Sequence, residues 1–272
     1  MNIIFLEITL LLYLLGTAAY LVAIVSQRPQ PATAAWAVLV GGFAFHTVAL
    51  VARFMAAGYT PVTNLQESLS FFAWSIVVLY LVFDFRYQVK GLGAFVSPAA
   101  LLLMLWSNAL PKEVLPLPAV LDSYWHPVHV VSSFGGYALF TLAAAAGLMY
   151  LFQEREIKSK KIGRFYDRLP ALQVLDTLNH RCISIGFTLL TIGIISGSIW
   201  AQNAWGSYWS WDPKETWSLI TWFLYAALFH ERLAVGWRGR RAAVLAIIGF
   251  VAVLFTFFGV SLLLPGRHSY LG

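Results

Sequence analysis

The sequence predicts an all-α, polytopic transmembrane helical bundle of about eight spans with both termini on the outer face. Three observations predict it. Of 272 residues, 60% are hydrophobic and 11% charged, which leaves too little polar surface for a soluble domain of this length. Apolar runs close to the ~20 residues needed to cross a hydrocarbon core recur along most of the chain. Lysine and arginine crowd into alternate connections between those runs. No period-2 barrel pattern is visible, so helices remain as the way to satisfy backbone hydrogen bonds in lipid.

The first run, 3–25, has neither a basic leader nor a small-residue cleavage site and is expected to be a retained helix. The second, 34–56, carries His46 near its middle, and the third, 67–85, opens on Glu67. The fourth occupies 93–110, and the fifth, 128–152, begins beside His129. The sixth, 180–200, holds the one cysteine, Cys182; a single thiol excludes an internal disulfide, a CxxC pair and a CxxCH attachment sequence. The seventh, 217–235, carries His230 in its inner half, and the eighth, 242–264, precedes His268. Small residues in ALFTLAAAAGL (138–148) and GIISGSIWA (193–201) allow close helix approach. Residues 1–272 are expected to form a single integral membrane domain.

One side of the alternation collects Arg28, Arg86, Lys90, the basic residues from Arg155 to Arg181, and those from Arg232 to Arg241. The other has Arg53, Lys112, Lys214 and Arg267. The richer side is expected to be cytoplasmic, so the net charge of +6 is a topology signal and nucleic-acid binding is excluded. The stretch EREIKSKKIGRFYDR is expected to lie against anionic lipid headgroups on that side. Both termini and three loops then face outward: 58–67, the proline-rich 111–127, and a tryptophan-rich loop at 202–216.

That last loop contains most of WGSYWSWDPKETW (205–217), where four tryptophans stand beside Asp212, Lys214 and Glu215. His126, His129 and His268 fall on the same expected face. Two imidazoles from different helices can ligate a haem iron from both sides while tryptophan rings lie against the macrocycle. The competing reading is an interfacial aromatic belt, although belts are spread over many helices rather than gathered in one loop. His46 and His230 lie at depths where an ionisable side chain needs a partner; they are either functional or hydrogen-bonded core. His180, beside Arg181, is expected to be a boundary residue. Asp212 is placed to cap a helix with Pro213 at its first position and Glu215 in its first turn. Lys214, Arg53 and Arg267 can neutralise carboxylates such as propionates or snorkel to lipid phosphate. No Walker loop, Ser-His-Asp order or HExxH is present.

The run WGSYWSWDPKETWSLITW resembles the tryptophan-rich signature of haem-handling cytochrome c maturation proteins, specifically the CcsA or ResC type of System II. The resemblance extends through HTVALVARFMAAGYTPVTNLQESLSFFAW (46–74), HPVHVVSSFGGYALF (126–140), IGFTLLTIGIISGSIWA (185–201), LYAALFHER (224–232) and RHSY (267–270), about two thirds of the chain in order. It implies that His129 and His268 are axial ligands to haem b, carried as a bound substrate, at an external site. It implies an intramembrane haem position at His230, and more weakly a role for His46. Trp205, Gly206, Trp209, Trp211, Asp212 and Glu215 would form the haem platform. The implied activity is haem export, presentation and thioether attachment at the CxxCH of apocytochrome c. The implied partners are a CcsB or ResB-type membrane subunit and thiol-reducing thioredoxin-like proteins. Alternatives are a haem chaperone with no part in ligation, or a b-type electron-transfer cytochrome using His46 and His230. A bacterial plasma membrane is expected rather than a thylakoid, from the basicity and the lack of a transit-like start.

Overall fold

Where the apolar runs are long and lack interior breakers, the backbone closes its hydrogen bonds within each segment, and each predicted run contains a helix. The structure is a computed structural model describing residues 2–25, 30–114, 116–160, 169–264 and 266. Eight principal helices follow in order: α1 (Asn2–Val25), α2 (Gln30–Ala57), α3 (Leu65–Tyr87), α4 (Gly93–Ala109), α5 (Trp125–Ser159), α6 (Leu172–Trp205), α7 (Pro213–His230) and α8 (Arg240–Leu254). The last continues through a π-helical turn, Phe255–Gly259, into a short α9, Val260–Leu263. Among the described residues, six helices are long and apolar enough to cross a membrane: α1, α2, α3, α5, α6 and the continuous α8–α9. The other two of the eight expected spans differ: α4 has only 17 residues, and α7 begins on the polar sequence PKET. Among the described residues there is no strand.

Two compact units divide the chain. The first comprises Met1–Pro116 and Met149–Val174, the second Leu117–Leu148 and Leu175–Gly272. In the first, Asn64 caps α3 by accepting the backbone N–H of Glu67 at 2.9 Å. The Glu67 carboxylate is buried and receives Arg53 Nε at 2.8 Å, together with the backbone N–H and hydroxyl of Thr63. Arg53 also donates to the carbonyls of Lys112 and Glu113, tying the loop after α4 to α2 and α3. A buried ion pair this fully hydrogen-bonded is costly to break, because either partner alone is left as an uncompensated charge.

In the second unit α5 and α6 approach closely, with Gly136, Gly186 and Gly193 each at a point where a Cβ would crowd the opposite helix. Tyr225 of α7 stacks on Phe140 of α5 with ring centroids 3.5 Å apart. Thr256, in the π-helical turn, meets Thr221 at 2.8 Å and also contacts the carbonyl of Trp217. At the opposite end of α7, Arg232 clasps Asp176 through two hydrogen bonds of 2.9 and 2.7 Å, and Asp176 also accepts the Gly239 N–H. The starts of α5 and α7 and the ends of α6 and α9 therefore share one end of this unit.

Candidate functional site

One turn into α5, His129 faces the last third of α6. Its Nδ1 lies 2.7 Å from the carbonyl oxygen of Gly193. A carbonyl only accepts, so Nδ1 carries a proton, and in the neutral ring the lone pair is on Nε2, the tautomer a metal-ligating histidine adopts when a backbone carbonyl orients it. Gly197 permits the approach: a Cβ there would stand 2.5 Å from Nδ1 and 2.7 Å from Cε1. Trp200, one turn further, stacks on the His129 ring at 5.9 Å and 22°, and is itself fixed by donating Nε1–H to the carbonyl of Val120. His126 also packs against Trp200, with ring centroids 5.2 Å apart. Trp205 continues the cluster at 4.9 Å from Trp200.

The tryptophan-rich segment is less irregular than its composition suggests. α6 runs to Trp205 and α7 starts at Pro213, so the loop is 206–212 rather than the expected 202–216. Gly206 turns the chain out of α6 with φ of 75°. Trp211 has φ of 59°, in the left-handed region that a bulky residue occupies at a cost of about 1–3 kcal/mol. Glu215 holds it there, since its carboxylate accepts the N–H groups of Ser210 and Asp212 on either side of Trp211, at 2.8 and 3.2 Å. Asp212 in turn caps α7 by accepting Lys214 N–H at 2.9 Å, with Pro213 in the first turn, completing a capping box. The result is an indole 69% exposed, with Trp209 edge-on to it at 5.8 Å. An indole exposed in this way can lie against a flat partner or at a membrane interface.

Lys214 supplies a cation at the same end. Its Nζ donates to Ser261 at 2.7 Å and lies 5.6 Å from the Phe257 ring. Burial pushes its pKa down to about 8, with Asp212 acting in the opposite direction. Gly266 closes on this corner: a Cβ there would be 2.6 Å from Oδ2 of Asp212. His268 and Arg267 lie outside the described residues.

A family model described as cytochrome C assembly protein matches residues 62–268. The chain belongs to the cytochrome c assembly protein family. It is 40% identical over 230 residues to the cytochrome c biogenesis protein CcsA of Chlamydomonas reinhardtii, covering 81% of this chain and 64% of that protein. It is also 36% identical to the CcsA of Synechocystis, covering 98% and 96% of the two chains. Less than two thirds of the algal relative is thus matched, against nearly all of the cyanobacterial one. A solved structure, cytochrome c heme lyase CcmF, superposes with a TM-score of 0.68 at 18% identity, over 94% of this chain and 46% of that one. That likeness establishes a shared fold. The chain is accordingly an integral membrane protein of cytochrome c biogenesis with several candidate spans.

Other histidines of this family member are placed differently. His46 is fully buried in the first unit with both ring nitrogens engaged, Nδ1 with Tyr13 at 3.1 Å and Nε2 with Ser70 at 2.9 Å. His230 is the last residue of α7, exposed, at the end of that helix opposite Trp211. His180, expected at a helix start, lies two turns into α6 and stacks on Phe229. Arg53, one of the three expected cations, is committed to Glu67. Trp200 and Gly197 were not expected at the site, and His126 was expected on this face without an assigned role. The only local signal for the first two was the small-residue stretch GIISGSIWA, which by itself points to helix packing. Among the described residues, no three His, Cys, Asp or Glu side chains converge as a metal site.

Proposed function

We propose that the chain holds haem b as a substrate at the Trp211 end of its second unit and presents it for attachment to apocytochrome c. In this reading it is the CcsA-type subunit of a System II cytochrome c synthase in a bacterial plasma membrane, its Trp211 end on the outer face. The observation that carries the proposal is His129, whose Nδ1–H is given to the Gly193 carbonyl, the orientation that directs Nε2 of a neutral ring to a metal. His268 supplies the second axial nitrogen. Gly266, two residues earlier, against Asp212 supports bringing that segment to the tryptophan loop. Trp205, Trp209 and Trp211 provide flat faces, with Gly206, Asp212 and Glu215 holding the loop's turn and cap, and Lys214 a cation for a propionate.

The chemistry asks for positioning rather than a strong acid or base. Each cysteine S–H of a CxxCH adds across a vinyl C=C: the sulfur–carbon bond forms at one carbon, the hydrogen ends on the other, and no electrons are exchanged with the protein. The histidine of the same motif replaces one enzyme imidazole and so assists release. Holding two reactants in register is itself a large rate contribution. His230, exposed at the far end of α7, is assigned to an earlier haem position on the export route, completed by a CcsB or ResB-type partner. His46, with both nitrogens taken by Tyr13 and Ser70, is assigned no contact with haem. Thioredoxin-like proteins would keep the apocytochrome thiols reduced.

The test is photo-crosslinking of an apocytochrome CxxCH peptide to the purified, haem-loaded protein carrying a photoreactive group at Tyr208, exposed in the loop. Haem-dependent crosslinks are expected. Their absence, with haem retained, would reduce the chain to a haem carrier with no part in ligation.

A further inference from the structure

The buried polar groups of the first unit form a line that the haem reading does not use. Hydroxyl-bearing residues recur on one buried face of α1: Tyr13, Thr17 and Tyr20 are at most 5% exposed and spaced by four and three residues. Tyr13 meets His46, and His46 meets Ser70 of α3. Beyond Ser70 a cavity of about 10 Å³, room for roughly one water molecule, is lined by Ser70, Gln66, Glu67 and Arg53. In the other direction Tyr20 meets Tyr80 hydroxyl to hydroxyl at 2.7 Å, with Asp84 in electrostatic range of both. Glycines make room for the two α1 tyrosines: a Cβ at Gly42 would be 2.7 Å from the Tyr13 ring, and one at Gly93 2.7 Å from the Tyr20 oxygen.

Interhelical hydrogen bonds often serve only as glue, each worth about 0.6 kcal/mol in lipid. Two features go further. The line starts and ends on buried carboxylates, and from Glu67 to Asp84 it follows α3 for about 26 Å, most of a hydrocarbon core. A water-sized cavity separates Ser70 from Glu67, and between the Tyr13 and Tyr20 clusters Thr17 presents a buried hydroxyl with no hydrogen-bond partner. An unpaired buried hydroxyl is unfavourable and is explained if a water or a rotated neighbour joins it transiently.

We propose that the first unit conducts protons along Asp84, Tyr80, Tyr20, Thr17, Tyr13, His46, Ser70 and Glu67. Each hydroxyl gives its proton to the next acceptor and receives one from the group behind it. The His46 ring accepts at one nitrogen and releases from the other, exchanging tautomers. One proton enters from water at the Asp84 end and one leaves to water at the Glu67 end, with no group oxidised or reduced. Thr17 is the gate, since flow requires its hydroxyl to bridge the two clusters. The proposal is independent of where haem binds.

The full-length protein in liposomes containing a pH-sensitive dye, driven by a potassium diffusion potential, tests this. Proton entry is expected well above that of protein-free vesicles, falling about tenfold in Tyr13→Phe, Tyr80→Phe and Thr17→Val, substitutions that each delete one hydroxyl at nearly constant volume. Helical circular dichroism of each variant checks that it is folded. Wild-type flux equal to that of protein-free vesicles would overturn the proposal, as would unchanged flux in folded Tyr13→Phe and Tyr80→Phe.

Discussion

His129 owes its position to two glycines of α6. Gly193 sets the tautomer through its carbonyl and Gly197 leaves the space, so Gly197→Ala should displace the ring while leaving the helices intact. The expected result is a shifted or lost haem absorption band with unchanged helical circular dichroism; an unaltered band would show that His129 does not touch the iron. Lys214 makes a second prediction. With its pKa lowered to about 8, the ammonium is present below that pH and lost as pH rises through it. Haem retention that depends on a propionate at Lys214 should weaken from pH 7 to 9, and Lys214→Arg should remove the pH dependence. The cap at Asp212 was legible in the sequence because DPKE places an N-cap, a proline and an acidic first turn in four adjacent residues. Gly197 was not legible: what a helical glycine faces is decided by another helix, 68 residues away in sequence in the case of His129.

Helices were legible where apolar length alone decides them and misjudged where polar residues belong to the interior. The start expected for α6 was residue 180, yet the helix begins at Leu172. Asp176 and Asn179 resemble loop residues, but one is paired with Arg232 and the other donates to the carbonyl of Ala143. The start of α3 illustrates the same physics. Asn64 and Glu67, within NLQES, are a cap and the buried partner of Arg53. Arg53→Ala or Glu67→Ala alone should cost about 3–5 kcal/mol, and the double substitution less than the sum. Thermal unfolding of the purified variants in detergent measures this; additive losses would mean the pair is not coupled.

Across the whole molecule, a polytopic helical architecture was readable from composition, and each of the eight expected runs contains a helix. Among the described residues six helices satisfy length and apolarity, and α7 falls short because its first turn is given to the polar capping box that shapes the loop before it. The two units also divide their polar residues differently. The first buries a hydrogen-bonded line of hydroxyls and carboxylates, while the second exposes indoles at one end and keeps an arginine–aspartate clasp at the other. Family membership places the chain in cytochrome c biogenesis; the haem-ligand assignment is the central claim to be tested. The most direct measurement is the visible spectrum of the purified protein, oxidised and reduced, beside those of His129→Ala and His268→Ala. A six-coordinate haem spectrum in the wild type, altered or lost in each variant, is the predicted result. Haem bound with the same spectrum in all three proteins would contradict it.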